Sequence, residues 1–149
     1  MIRKVTVAAG ALMLVAGIAA ASASDDPIAS RQAMMKNTGA SIGAIVKMAK
    51  GEAEFDALAA NLAIRAMNNT AIGIVHLFPA GSETGMDTEA APKIWEDMAG
   101  FVEKAKAMEE ATAKAIAAPA ASLDELKAQL GEIGGTCKGC HETYRIKKS

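Results

Sequence analysis

Aromatic side chains are scarce in this sequence: one Trp, one Tyr and three Phe in 149 residues, although 51% of the chain is hydrophobic. A core of that size is short of bulky filling material. Cysteine occurs only twice, too few for a multi-bridge disulfide scaffold. Neither sign of charge dominates, with 16 Lys+Arg against 17 Asp+Glu, which argues against a nucleic-acid binder. Charged residues make up 22% of the chain, which is not the composition of a typical disordered protein. The length favours one domain, and there is no internal repeat, low-complexity tract or second domain.

The only long uncharged run lies at the start. Arg3 and Lys4 form a positive head, Val5 to Ala20 carries no charge, and Ala21-Ser22-Ala23 supplies the small residues that a signal peptidase needs. The run is about 16 residues against the ~20 of a membrane span, so residues 1–23 read as a cleaved secretory signal rather than an anchor. Its removal takes two positive charges with it and lowers the formal net charge from −1 to −3. Residues 24–149 are then expected to be a soluble domain exported to the periplasm, without stable membrane insertion.

That remainder is rich in Ala, Met, Leu, Glu and Lys and shows no alternating strand pattern. Four helical segments are predicted. The first runs from about Pro27 to Lys50, with Asp26 as N-cap, an apolar stripe through Ile28, Met35, Ile42 and Ile45, and Gly51 as its end. The second covers about Phe55 to Leu77 and stops before Pro79. A long crossover follows, marked by Pro79, Gly81, Ser82 and Gly85. The third starts near Pro92 and ends at Pro119. Ser122-Leu123-Asp124-Glu125 is a capping box that opens the fourth. On that helix Leu123, Leu126, Leu130, Ile133, Cys137, Cys140 and Tyr144 step by 3, 4, 3, 4, 3, 4, one continuous core-facing seam. Four such helices make an all-α, antiparallel, up-down-up-down bundle the simplest architecture.

The chemistry sits on the last helix. Cys137-Lys138-Gly139-Cys140-His141 has the C-x-x-C-H form of a c-type haem attachment sequence. At about 100° per residue, Cys140 lies about 60° from Cys137 on one side and His141 about 40° on the other. Both thiols and the imidazole share one arc, so the thiols reach the vinyl groups while His141 meets the iron as proximal ligand. A disulfide would leave His141 unexplained. A zinc site lacks a second paired spacing, with only His76 or a carboxylate to complete it. A thioredoxin-like pair would follow a strand rather than sit late in a long helix.

Met35 lies about nine residues into the first helix, ~13 Å from its end, and His141 ~8 Å from the same end of the bundle. These heights place Met35 where it could face the iron as sixth ligand, favouring electron transfer, or merely pack on a five-coordinate haem. Met34 points to another face. His76 falls within about 2 Å of the end of its helix, too far out for an iron ligand. Asn68-Asn69-Thr70 matches a glycosylation sequon but falls inside a helix.

Several stretches resemble the cytochrome c′ family, including its low-spin cytochrome c-556 members. They are Arg31 to Gly39, Leu77-Phe78-Pro79, Lys93-Ile94-Trp95 and the C-x-x-C-H-x-x-x-R run from Cys137 to Arg145. The resemblance spans essentially the whole chain after the signal. It implies a left-handed four-helix bundle, one covalent haem c at Cys137 and Cys140, and His141 as axial ligand. It also implies Arg31 near the haem propionates, Arg145 on the proximal side, and a homodimer through the first two helices. Low-spin members ligate the iron with Met four residues after the Arg equivalent to Arg31. Met35, Lys36 and Gly39 look like that type, whereas Gly134 to Lys138 look equally like high-spin members.

The leading expectation is a single-electron carrier that meets redox partner proteins and is not an enzyme. Its rival is a five-coordinate protein that binds nitric oxide or carbon monoxide. A haem enzyme such as a peroxidase is weaker, because no distal His or Arg is recognisable beside Met35. Lys36, Lys138, Arg145, Lys147 and Lys148 fall toward the haem end, where solvated surface is a commoner role than a steering rim.

Overall fold

The computed structural model describes residues 26–147; the expected signal over 1–23 and Lys148 lie outside them. Helix α1 covers Pro27–Ala49, started by the Asp26 carboxylate, which accepts the N–H groups of Ile28 at 2.7 Å and Ala29 at 3.2 Å. Gly51, at φ +74°, turns the chain after it. Helix α2, Ala57–Ile74, is capped by Asp56 and tightens into a 3₁₀ turn over Val75–Leu77. Helix α5, Leu123–Tyr144, starts from Ser122, whose hydroxyl accepts the N–H of Glu125. The Glu125 carboxylate returns to the N–H of Ala121 at 2.7 Å, one residue before the position that a capping box predicts.

The third segment departs from the sequence pattern. It is divided into a single turn α3, Lys93–Glu96, and α4, Met98–Ala117. Asp97, at φ −137° and ψ 56°, leaves helical space to cap α4 through the N–H of Gly100 at 3.1 Å. The same carboxylate accepts the Tyr144 hydroxyl at 2.9 Å, tying the start of α4 to the end of α5. Hydrogen bonds from Tyr144 and then Gly100 hold the Asp97 carboxyl below its ordinary pKa. Burial and the facing carboxylate push the Tyr144 phenol up to about 12. A neutral phenol therefore donates to a carboxylate across the neutral range. The bond's contribution to stability is lost in acid as pH falls through the depressed Asp97 value, and in alkali as pH rises from 10.0 through about 12, where the unfolded phenol ionises before the folded one.

Helices α1 and α4 each pack against both α2 and α5. The start of α1, the end of α2, the start of α4 and the end of α5 share one end of the bundle, which makes the four long helices antiparallel in sequence order. At that end the crossover pairs with the chain terminus. The Ala91 N–H donates to the Tyr144 carbonyl at 3.0 Å, and the Ile146 N–H to the Glu89 carbonyl at 2.8 Å.

The core is in two parts. One, around Ile45, Ile64, Met67, Leu126 and Ile133, fills the half remote from the crossover. The other, around Ile94, Phe101 and Tyr144, closes the crossover end. Four of the five aromatics belong to the second part. Trp95, Phe78, Phe101 and Tyr144 stand in an edge-to-face row with centroids 5.6, 4.8 and 5.4 Å apart.

Gly100 is the tight point of this end, since a Cβ there would lie 2.5 Å from Tyr144 Oη and 2.6 Å from Asp97 Oδ2. Gly100→Ala should lower stability by about 1–3 kcal/mol in denaturant melts. In a Tyr144→Phe background, which removes the nearest atom, the penalty should be smaller. Equal penalties in the two backgrounds would contradict this account.

Candidate functional site

Between the two core clusters lies a cavity of about 540 Å³. Small side chains make the space: Ala71 and Ala105 are buried in its wall where larger residues would close it. Helix α5 brings Cys137, Cys140 and His141 to it together. Cys137 packs on the remote cluster and Cys140 on the crossover cluster, so the thiols straddle the boundary of the two. They are not bonded to each other. Burial pushes both thiols above the ordinary cysteine pKa, which keeps them protonated at neutral pH. His141 stands at the mouth. Desolvation and then the Arg145 charge lower its pKa, against a smaller pull from Glu89, so the imidazole is neutral.

Helix α1 supplies the facing wall with Arg31, Met35, Thr38 and Ile42. Ile28, Arg31, Met35, Thr38, Ile42 and Ile45 step by 3, 4, 3, 4, 3, a seam like that of α5 but carrying two polar residues. Thr38 is buried and donates to the Thr70 hydroxyl at 2.9 Å, which donates in turn to the Ala66 carbonyl at 3.3 Å. This pair was not singled out from the sequence, though its spacing of three from Met35 was the available signal. Met34 turns away and packs its methyl toward Gly73 of α2.

Arg31 is also buried, its guanidinium bound to Leu77 at the end of the 3₁₀ turn and to Ser82 and Thr88 of the crossover. Arg145 reaches the mouth and pairs with Glu89, its Nε donating at 2.6 Å. His76 is exposed and takes no part in the cavity wall. Asn68 donates to the Glu109 carbonyl and the Thr112 hydroxyl of α4, a packing role inside the bundle. Around the mouth Lys36 and Lys104 alternate with Asp87 and Glu89, and Lys138 pairs with Glu142 at 3.7 Å. These mixed signs favour solvated surface over a uniformly basic rim.

The sequence profile of the family described as Cytochrome C' matches residues 26–145. The chain belongs to the cytochrome c′ family. Cytochrome c′ of Rhodopseudomonas palustris is 40% identical over 148 residues, covering 98% of this chain and 99% of that one. A solved structure of that protein matches with a TM-score of 0.79 at 40% identity, over 83% of this chain and 98% of the other. Cytochrome c-556 of Agrobacterium tumefaciens is 37% identical over 79% of this chain and 95% of its own. A variant of cytochrome c prime from Alcaligenes xylosoxidans, solved as its nitric oxide complex, matches with a TM-score of 0.71. It is 31% identical, over 81% of this chain and 94% of that one.

The chain is thus a haem c protein built on the family's four-helix bundle. Its residues fit that group: two unbonded thiols on one helix face, a neutral imidazole beside the second, and a largely apolar space between them and α1. The volume lies within the ~300–1,000 Å³ usual for cofactor sites. Without that group, the apolar wall contributed by Ile42, Ala71, Ile74, Ala105 and Met108 has nothing to pack against across the space. Polypeptide made without haem should therefore keep much of its helix content, lose its near-ultraviolet circular dichroism and bind a hydrophobic dye. A haem-free chain that melted as cooperatively as the haem protein would overturn this.

Proposed function

We propose that the chain is an exported single-electron carrier whose haem c is bonded through Cys137 and Cys140, with His141 as proximal ligand and Met35 as sixth ligand. The observation that carries this reading is the placement of one thioether, that of Met35, on the cavity wall contributed by α1, with the two thiols and His141 on the wall from α5. Bound haem supplies a ferric–ferrous couple, and a Met/His ligand pair favours electron transfer over exchange of ligands. The protein's part is to hold that pair steady. Cys137 and Cys140, as thioethers, would anchor the haem on the α5 wall, His141 offers a neutral imidazole nitrogen, and Met35 offers a donor that carries no charge in either oxidation state.

Arg145, held by Glu89, flanks His141 on the proximal side. Arg31 lines the cavity and commits its terminal nitrogens to Leu77, Ser82 and Thr88, so a propionate beside it would have only the Nε–H to meet. Residues 1–23 are the signal that takes the chain to the periplasm, and residues 24–149 form the working domain. Among the described residues no helix is long and apolar enough to cross a membrane. The partners are other redox proteins, and the reading is of a carrier rather than an enzyme. Leu58 and Leu62, 70% and 57% exposed one turn apart on α2, offer an apolar strip for a homodimer.

A second reading has its own support. The Alcaligenes relative was solved with nitric oxide, and if Met35 only packs against haem, the same wall would admit nitric oxide or carbon monoxide to five-coordinate iron. The optical spectrum separates the two. Met-ligated ferric haem shows a weak far-red band, which the wild-type protein should display and Met35→Ala should lose. The variant should also have a lower reduction potential and take up carbon monoxide about tenfold or more faster, as a competing ligand is gone. A high-spin wild type unchanged by Met35→Ala would reject ligation by Met35.

Attachment is tested on its own. Acid acetone should leave haem on the denatured wild-type chain and extract essentially all of it from a Cys137→Ser, Cys140→Ser double variant. Extraction from the wild type would reject the thioether bonds.

A further inference from the structure

We infer that Arg31 is a positioning residue for Met35, strapping the crossover onto the first turns of α1 so that the thioether is held at the height of the iron. The inference rests on the reading of Met35 as sixth ligand. A guanidinium has five N–H donors, and here all four on the terminal nitrogens are engaged. Nη1 donates to the Leu77 carbonyl at 3.1 Å and the Ser82 hydroxyl at 2.9 Å; Nη2 donates to the Ser82 carbonyl at 2.6 Å and the Thr88 hydroxyl at 3.0 Å. Three of the four acceptors belong to the crossover, and the fourth, Leu77, closes the 3₁₀ turn that leads into it. The planar group also lies over the Phe78 ring at 4.7 Å and near the Trp95 ring at 5.6 Å. With only 4% exposure, Arg31 is built into the fold.

The segment it holds is one that needs holding. Met86 and Asp87 sit at φ 47° and 52°, in the left-handed region that non-glycine residues rarely adopt. The next residue of α1 completes the grip, as Gln32 Nε2 donates to the Met86 carbonyl at 2.8 Å. Ser82 relays the hold by donating its own hydroxyl to the Pro79 carbonyl at 2.8 Å. Met35 lies one turn beyond Arg31 on the same seam. A ligand has to be placed to within about 0.5 Å, and the strap removes the rotation and fraying by which a helix start would lose that placement. Lysine cannot replace it, because one ammonium has no planar fork to span separated acceptors or stack on the rings.

The test uses the haem-loaded protein. Arg31→Lys should raise amide hydrogen exchange across residues 79–88 about tenfold. It should also weaken the far-red Met-ligation band, raise the high-spin fraction and speed carbon monoxide uptake by the ferrous protein. Met35→Ala should reproduce the spectral change with loop exchange as in the wild type. A Ser82→Ala, Thr88→Val double variant keeps Arg31 and its charge yet should move all these readouts in the same direction, which covers an Arg31→Lys chain that fails to fold. Exchange at the wild-type rate, or faster exchange with an undisturbed spectrum and undisturbed carbon monoxide uptake, would overturn the inference. A wild type without the far-red band would reject Met35 ligation instead. The strap itself would then stand only if Arg31→Lys still speeds both loop exchange and carbon monoxide uptake.

Discussion

Helix α5 keeps one face toward the core from Leu123 to Tyr144, and the rest of the site depends on that constraint. The 3–4 repeat that buries Leu126 and Ile133 carries on through Cys137 and Cys140 to buried Tyr144. The thiols reach the interior because the helix is already committed to that face by packing at its other end. His141, one residue past the second thiol, is turned by about 100° to the edge of the same arc. A helix whose apolar seam drifted by one residue would present the pair to solvent and lose its chemistry.

The scarcity of aromatics has a spatial form. Four of the five rings close the crossover end as one row, and Phe55 packs on the remote cluster. Phe78, Phe101 and Tyr144 of that row bound the cavity on one side, and Ala71, Ala105, Thr38, Thr70 and Met35 line the rest with side chains that leave room for a flat cofactor. A haem is itself a large aromatic body, so the composition is short of bulk only when the polypeptide is counted alone. Packing and function are joined at this point, since the haem that serves as cofactor is also what completes the core.

Polar residues at seam positions connect the site to the crossover. Arg31 and Thr38 occupy places where the pattern of α1 asks for apolar side chains, and each is satisfied by a hydrogen bond to another element. Tyr144 does the same on α5 through Asp97. An unpaired polar group at such positions would be costly, so these bonds fix how the helices meet as well as stabilising them. The crossover is thereby held from both sides, by Arg31 and Gln32 of α1 and by the chain terminus that pairs with Glu89 and Ala91.

The helical periodicity, the caps at Asp26 and Ser122, the seam of α5 and the Cys137-to-His141 spacing all depend on neighbours within about one turn, and so they were legible in the sequence. The bundle and the kind of cofactor followed from them. What needed the tertiary structure was whatever joins residues distant along the chain. Asp97 divides the third segment because Tyr144, 47 positions later, brings its hydroxyl to that carboxylate. The bonds that bury Arg31 come from Ser82 and Thr88, more than 50 residues away. Local spacing determines which face a side chain takes, and only the packed bundle decides what that face meets, because long-range hydrogen bonds are selected by folding and leave no period in the sequence.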